Sequence, residues 1–354
     1  MAKDLRAKAR LKVLEKISDA ILTNQVQAAL TKTLPSQGVS ANLIYQPPAF
    51  HTDCYWQNKS LNTEKTCQRN DIVFITGRFR SGSTLVWNIF HNLDQFTAYY
   101  EPFNERQWFD ANRRGTFVDY THQGVKDYWV EYKGLECLSK YYDEDWIRHH
   151  LFMRESDFNF QMKRYIEILI ERAPSRPVLQ FNRVDFRLGW LSRQFPNSKI
   201  IHIYRNPRDQ WCSVVGKPDD FPYTESSHFK DRFYLEMWCK DLRWVFPFLD
   251  KKVATHPYQQ FYLLWRLSFI MGKQYSDLSI NLETLCNDQI ASLESIANVL
   301  GIDCIPSSYL SDIIKPYERD KWTRYADGDW FTDHESFCER LLYDYFMSLD
   351  PAFG

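Results

Sequence analysis

The stretch Asp71–Asn92 constrains the fold of this 354-residue chain more than any other. Ile72–Thr76 is a short apolar run rich in β-branched residues, the pattern of a strand buried on both faces. Gly77–Gly82 is a turn carrying Arg78 and Arg80. Behind it, Leu85, Trp87, Ile89, Phe90 and Leu93 fall at roughly helical spacing, and Ser83 is the expected N-cap. A strand running through a glycine turn into a helix N-terminus holds anions. The first N–H groups of the helix have no carbonyl one turn back, and the helix dipole adds partial positive charge there.

The spacing Gly77-x-x-x-x-Gly82-Ser83-Thr84 is one residue away from a nucleotide triphosphatase loop. Such a loop needs Lys directly after the second glycine to reach the outer phosphates. Here that position is Ser83, and the positive charge sits two residues before the glycine, at Arg80. Arg80-Ser81-Gly82-Ser83-Thr84 resembles the 5′-phosphosulfate loop of sulfotransferases that use 3′-phosphoadenosine 5′-phosphosulfate (PAPS).

A second segment resembles the same family. Lys199–Tyr204 reads as a strand, followed by Arg205-Asn-Pro-Arg-Asp209 and a helix carrying Ser213. Arg205 and Ser213 are 213 − 205 = 8 residues apart, the family's spacing for an Arg and a Ser that share the 3′-phosphate. An arginine fork suits a phosphate dianion. Taken alone, the segment is a surface Arg–Asp pair beside a helix begun by Pro207.

The resemblance implies further roles. Glu101-Pro102 lies 101 − 80 = 21 residues after Arg80, where the tyrosyl-protein and carbohydrate branches place a catalytic Glu, with Glu105 as the rival. Arg183, after the expected strand Val178–Asn182, stands where the tyrosyl-protein branch has Lys steadying the transferring group. Arg319, Lys321 and Arg324 sit in a late basic segment that closes over the nucleotide in relatives. The implied donor is PAPS, with no metal required. The acceptor is a small molecule or carbohydrate offering a hydroxyl or amine. A P-loop kinase-like phosphotransferase and a non-catalytic nucleotide-binding protein are the alternatives.

The expected fold is α/β: one P-loop nucleotide-kinase-like parallel sheet flanked by helices, with an N-terminal helical arm. Residues 1–70 form the arm. Its helix over 4–32 carries an apolar stripe suited to core packing or homo-oligomer contact, and a Pro- and Asn-containing linker follows. Residues 71–354 form the sulfotransferase domain, in which the acid- and aromatic-rich stretch 106–160 is an acceptor-side insertion or lid. Helices are expected over 161–172, 188–195, 228–250 and 257–275, a late strand over Ser279–Glu283, and a helix from there to Gly301.

A formal net charge of −1 argues against nucleic-acid binding by bulk electrostatics. The eight cysteines form no Cys-x-x-Cys pair, so no zinc site is expected; Cys54 and Cys67 are the best disulfide candidates. The charged start, Met1–Arg10, has no apolar run, so no leader or membrane span is expected and the location is read as cytoplasmic.

Overall fold

The structure, a computed structural model, describes residues 69–120, 122–215, 225–226, 229–306, 313–314, 317 and 320–349. The N-terminal helix, the linker, Cys54, Cys67 and Arg319 lie outside the described residues.

Among the described residues, five strands make one wholly parallel sheet: β1 (Val73–Thr76), β2 (Phe96–Tyr100), β3 (Arg176–Phe181), β4 (Lys199–Tyr204) and β5 (Leu278–Asn281). Their order is β2-β3-β1-β4-β5. The anion-loop strand is thus central, as its unbroken burial requires. The chain leaves β1 towards β2 on one side, and leaves β4 towards β5 on the other. The crevice at the carboxyl ends of β1 and β4 is therefore the topological switch point, where open α/β sheets bind ligands.

Helix α1 (Ser83–His91) follows β1 and packs back on the sheet, with Trp87 Nε1 donating to Ala98 O at 2.8 Å. Helices α2 (Phe160–Arg172) and α3 (Leu188–Gln194) lead into β3 and β4. An aromatic core of Phe74, Phe181 and Phe195 packs edge to face or tilted. Then come α4 (Pro207–Val215), α5 (Leu235–Leu242), α6 (Pro257–Tyr275), α7 (Leu282–Asn287), α8 (Gln289–Leu300) and α9 (Gly328–Leu349).

The chain divides into two compact units. One, Gln46–Gln210 with Tyr275–Arg319, carries the sheet. The other includes Trp211–Gln274 and Asp320–Gly354. Inside the second, α6 and α9 are joined by polar contacts: Tyr258 Oη to Glu335 at 2.7 Å, Tyr262 Oη to Glu339 at 2.8 Å, and Arg266 to Glu339 at 3.1 Å.

Several expected boundaries shift, each for a local reason. Gly82, not Ser83, is the N-cap of α1, because φ of 95° there turns the chain into the helix without a side-chain bond. The long helix expected over 228–250 is reduced to α5. Asp231 takes the N–H groups of Phe233, Leu235 and Glu236 at 3.2, 2.8 and 3.0 Å, and Pro247 opens a separate 3-10 turn. The late strand ends at Asn281, whose side chain caps α7 by accepting from Thr284 N. The helix running to Gly301 is split at Asp288, which caps α8. Residues 106–160 hold 3-10 turns at Val130–Tyr132, Glu136–Lys140 and Glu144–Ile147, with Trp108, Tyr128, Tyr132 and Trp146 buried. Among the described residues no helix is long and apolar enough to cross a membrane.

Candidate active site

The loop after β1 is braced from three sides. Below it, Asp185 accepts from Thr76 Oγ1 at 3.3 Å and pairs with buried Arg78 at 3.4 Å. Beside it, Gln210 Nε2 donates to Phe79 O at 2.8 Å. Against β4, Gly77 leaves no room for a side chain, since a Cβ would stand 2.6 Å from Ile203 O. Arg80 has φ of 66° and Gly82 φ of 95°, two left-handed residues that curl the loop over the start of α1. A left-handed non-glycine costs about 1–3 kcal/mol and persists only where its surroundings impose it. Leu85 and Val86 N–H both reach Gly82 O, so the N–H groups of Ser83 and Thr84 stand at the helix mouth. Thr84 Oγ1 meets Tyr100 Oη at 3.1 Å, and Ser81 is buried in the turn.

Arg80 and Arg205, expected from separate motifs, meet directly. Arg205 Nη1 lies 3.4 Å from Arg80 O, across 125 positions of sequence. The left-handed turn at Arg80 sets the direction of that carbonyl. The loops following β1 and β4 thus meet through the Arg205 side chain.

Glu101 follows β2 with φ of 38° and is buried. Its carboxylate accepts from Asn104 Nδ2 at 2.6 Å, from Arg183 Nη1 at 2.8 Å and from Asn182 Nδ2. The unusual backbone here is pinned by three tyrosines. Tyr132 donates to Tyr100 O, Tyr165 to Pro102 O and Tyr142 to Asn104 O, at 2.9, 2.7 and 3.0 Å. Two of these, Tyr132 and Tyr142, come from the 106–160 stretch, so its aromatic density has a definite use: it holds the Glu101–Glu105 segment. Arg183, only 4% exposed, spans Glu101 and Glu105 and lies under the Phe79 ring, 5.0 Å from its centroid.

On the outer side, Asp119 stands 3.8 Å from Arg80. The backbone N–H of Asp119 donates to Tyr128 Oη, and Tyr128 Oη meets His122 Nδ1. Burial pushes the His122 imidazole below its usual pKa, with the Arg80 charge adding to that and the nearby carboxylates opposing it.

Of the residues singled out from sequence, Arg80, Ser81, Gly82, Ser83, Thr84, Glu101, Arg183 and Arg205 all belong to the sheet-bearing unit. Ser213, half-buried on α4, and Lys321, in a 3-10 turn at Lys321–Arg324, belong to the other unit. Asn104, Asn182 and His122 had no role assigned from sequence. Only Asn182, adjacent to Arg183, carried a usable signal; the others arrive through loops whose path no local pattern encodes. Among the described residues no group of three or more His, Cys, Asp or Glu could hold a metal ion.

The arrangement offers a helix mouth behind the loop that carries Arg80, a buried carboxylate 101 − 80 = 21 residues on, and a cation bridging that carboxylate to a second one. It suits transfer of an anionic group to an acceptor that must lose a proton.

Comparison with known proteins identifies the family. The model described as the sulfotransferase family matches residues 72–306. Three solved structures are similar at low identity. A mouse sulfotransferase, SULT7A1, complexed with PAP is 14% identical, covering 79% of this chain and 90% of that one, with a TM-score of 0.37. The sulfotransferase domain from the curacin biosynthetic pathway is 16% identical, covering 78% and 96%, with a TM-score of 0.37. A sulfotransferase from Alicyclobacillus acidocaldarius is 16% identical, covering 76% and 94%, with a TM-score of 0.34. A search of curated proteins finds no match. With the family model spanning most of the chain, from β1 to just beyond α8, this protein belongs to the sulfotransferase family.

Proposed function

We propose that this sulfotransferase moves a sulfuryl group from PAPS to a hydroxyl or amine of a small-molecule or carbohydrate acceptor. The observation that carries the reading is the meeting of Arg205 with the Arg80 carbonyl at the switch point of the sheet. PAPS carries anionic groups at both ends of one nucleoside, and two arginine-bearing loops at one crevice match that distribution.

Arg80, the Ser83 and Thr84 N–H groups and the hydroxyls of the loop hold the 5′-phosphosulfate, with Ser81 and Gly82 shaping the turn. Arg205 takes the 3′-phosphate. The acceptor oxygen or nitrogen attacks sulfur in line with the bridging oxygen, whose bond to sulfur breaks. Glu101 removes the acceptor proton. Adenosine 3′,5′-bisphosphate (PAP) departs, and Arg80 balances the charge that develops on the leaving oxygen. Arg183 faces the peripheral sulfuryl oxygens. Sulfuryl transfer resembles phosphoryl transfer in its loose, in-line transition state, so fixed positive charge and alignment are the protein's main contributions. The 106–160 stretch forms the acceptor side, a role supported by its tyrosines over the Glu101 segment.

The test is incubation of the protein with sulfur-labelled PAPS and a metabolite extract, with PAP titrated separately by calorimetry. Labelled products heavier by SO₃, together with PAP binding that Arg205→Ala weakens by about 10-fold or more, are expected. Absence of PAP binding, or Mg²⁺-dependent consumption of ATP instead, would remove the reading.

A further inference from the structure

Arg205 does not reach the crevice unaided. Its Nε donates to Tyr317 Oη at 3.1 Å, and its guanidinium carbon lies 5.3 Å from the centroid of the Tyr317 ring. Tyr317 Oη in turn donates to Asp209 Oδ2 at 2.8 Å. The phenol therefore has a fixed sense, accepting from Arg205 and giving its proton to a carboxylate that is 3% exposed. Asp209 lies in the first turn of α4, so the anchor is a regular element and not a loop. With Nε held by Tyr317 and Nη1 directed at Arg80 O, two contacts on different atoms set the rotation of the guanidinium plane.

A planar cation recognises a phosphate dianion well only when its donor edge faces the oxygens. Arg is long and flexible, and a second residue that fixes the plane in advance lowers the ordering cost of binding. From the late segment of the chain, Tyr317 reaches Arg205.

We infer that Tyr317 is a positioning residue for Arg205, presenting its guanidinium edge to the 3′-phosphate and so setting the preference for a 3′-phosphorylated nucleotide. The inference rests on the PAPS reading above. If Tyr317 served only to pack against α4, its hydroxyl would matter equally for every nucleotide. A positioning role is confined to ligands carrying the 3′-phosphate.

The experiment measures affinity for PAP and for adenosine 5′-monophosphate, which lacks the 3′-phosphate, on the full chain. Tyr317→Phe keeps the ring and removes the hydroxyl. It is expected to lower PAP affinity about 10-fold and leave adenosine 5′-monophosphate affinity unchanged. Tyr317→Leu removes the ring as well and should lower PAP affinity further, again without moving the monophosphate. Parallel loss for both ligands, or no loss for either, overturns the positioning role. A wild-type chain that binds PAP no better than the monophosphate overturns the donor assignment itself, and is distinguished by being seen before any substitution.

Discussion

Arg183 divides its guanidinium between two carboxylates, with Nη1 2.8 Å from Glu101 Oε2 and Nη2 2.7 Å from Glu105 Oε2. The two residues that sequence offered as rival bases are thus held by one cation. They are not equivalent. Glu101 is buried and also accepts from Asn104 and Asn182, whereas the Glu105 side chain is 39% exposed. A general base works best where water is excluded, so burial favours Glu101 over Glu105 for the proposed role.

Glu101→Gln is accordingly expected to lower turnover about 100-fold or more while PAP affinity stays within about 2-fold. Glu105→Gln should cost less than about 10-fold, because Arg183 keeps its contact with Glu101. Steady-state rates and PAP calorimetry on both variants check this. The reverse ranking would transfer the role to Glu105.

Gly82 is expected to tolerate no side chain. Its φ is 95°, and a Cβ would stand 2.6 Å from Leu282 Cδ1 and 3.1 Å from Cδ2. Gly82→Ala should destabilise the chain by about 1–3 kcal/mol and weaken PAP binding. Leu282→Ala on top of it removes the steric component but not the backbone one. The double variant should therefore bind PAP better than Gly82→Ala and still worse than Leu282→Ala alone. Equal binding by the two would show that the backbone conformation is unimportant.

Stability should depend on pH through His122. Burial lowers the pKa of this imidazole from 6.5, so the unfolded chain binds its proton more readily than the folded one. The resulting stabilisation is complete above about pH 6.5 and is lost as pH falls through the lower, folded value. Thermal melting of the wild type should therefore drop on going from pH 7.5 to 5.5 by more than that of His122→Gln. His334 is shifted in the same direction, again chiefly by burial, so the variant should flatten the dependence without abolishing it. Identical pH profiles for the two proteins would contradict the assignment.

Much of the sheet was legible because it depends on short-range pattern. The strand at β1, the glycine turn and the helix behind it follow from apolar runs and φ-permissive residues that lie side by side in the chain. Pro257–Tyr275 runs over the length its apolar content predicts. Where side chains outcompete the backbone for its own N–H groups, as Asp231 and Asp288 do, apolar periodicity overstates helix length.

The residues Arg80, Glu101, Arg183 and Arg205 could be named from sequence, because their motifs resemble those of the sulfotransferases. Their mutual geometry could not. That Arg205 addresses the Arg80 carbonyl follows from β4 lying beside β1, a consequence of strand order. That Glu101 is shared with Arg183 and pinned by tyrosines follows from loops tens of residues away. Sequence by itself determined the charges and the local turns, since those are properties of adjacent residues. Only the tertiary structure decided which charges face one another, because contacts between distant segments are chosen by the packing of the whole sheet and its loops.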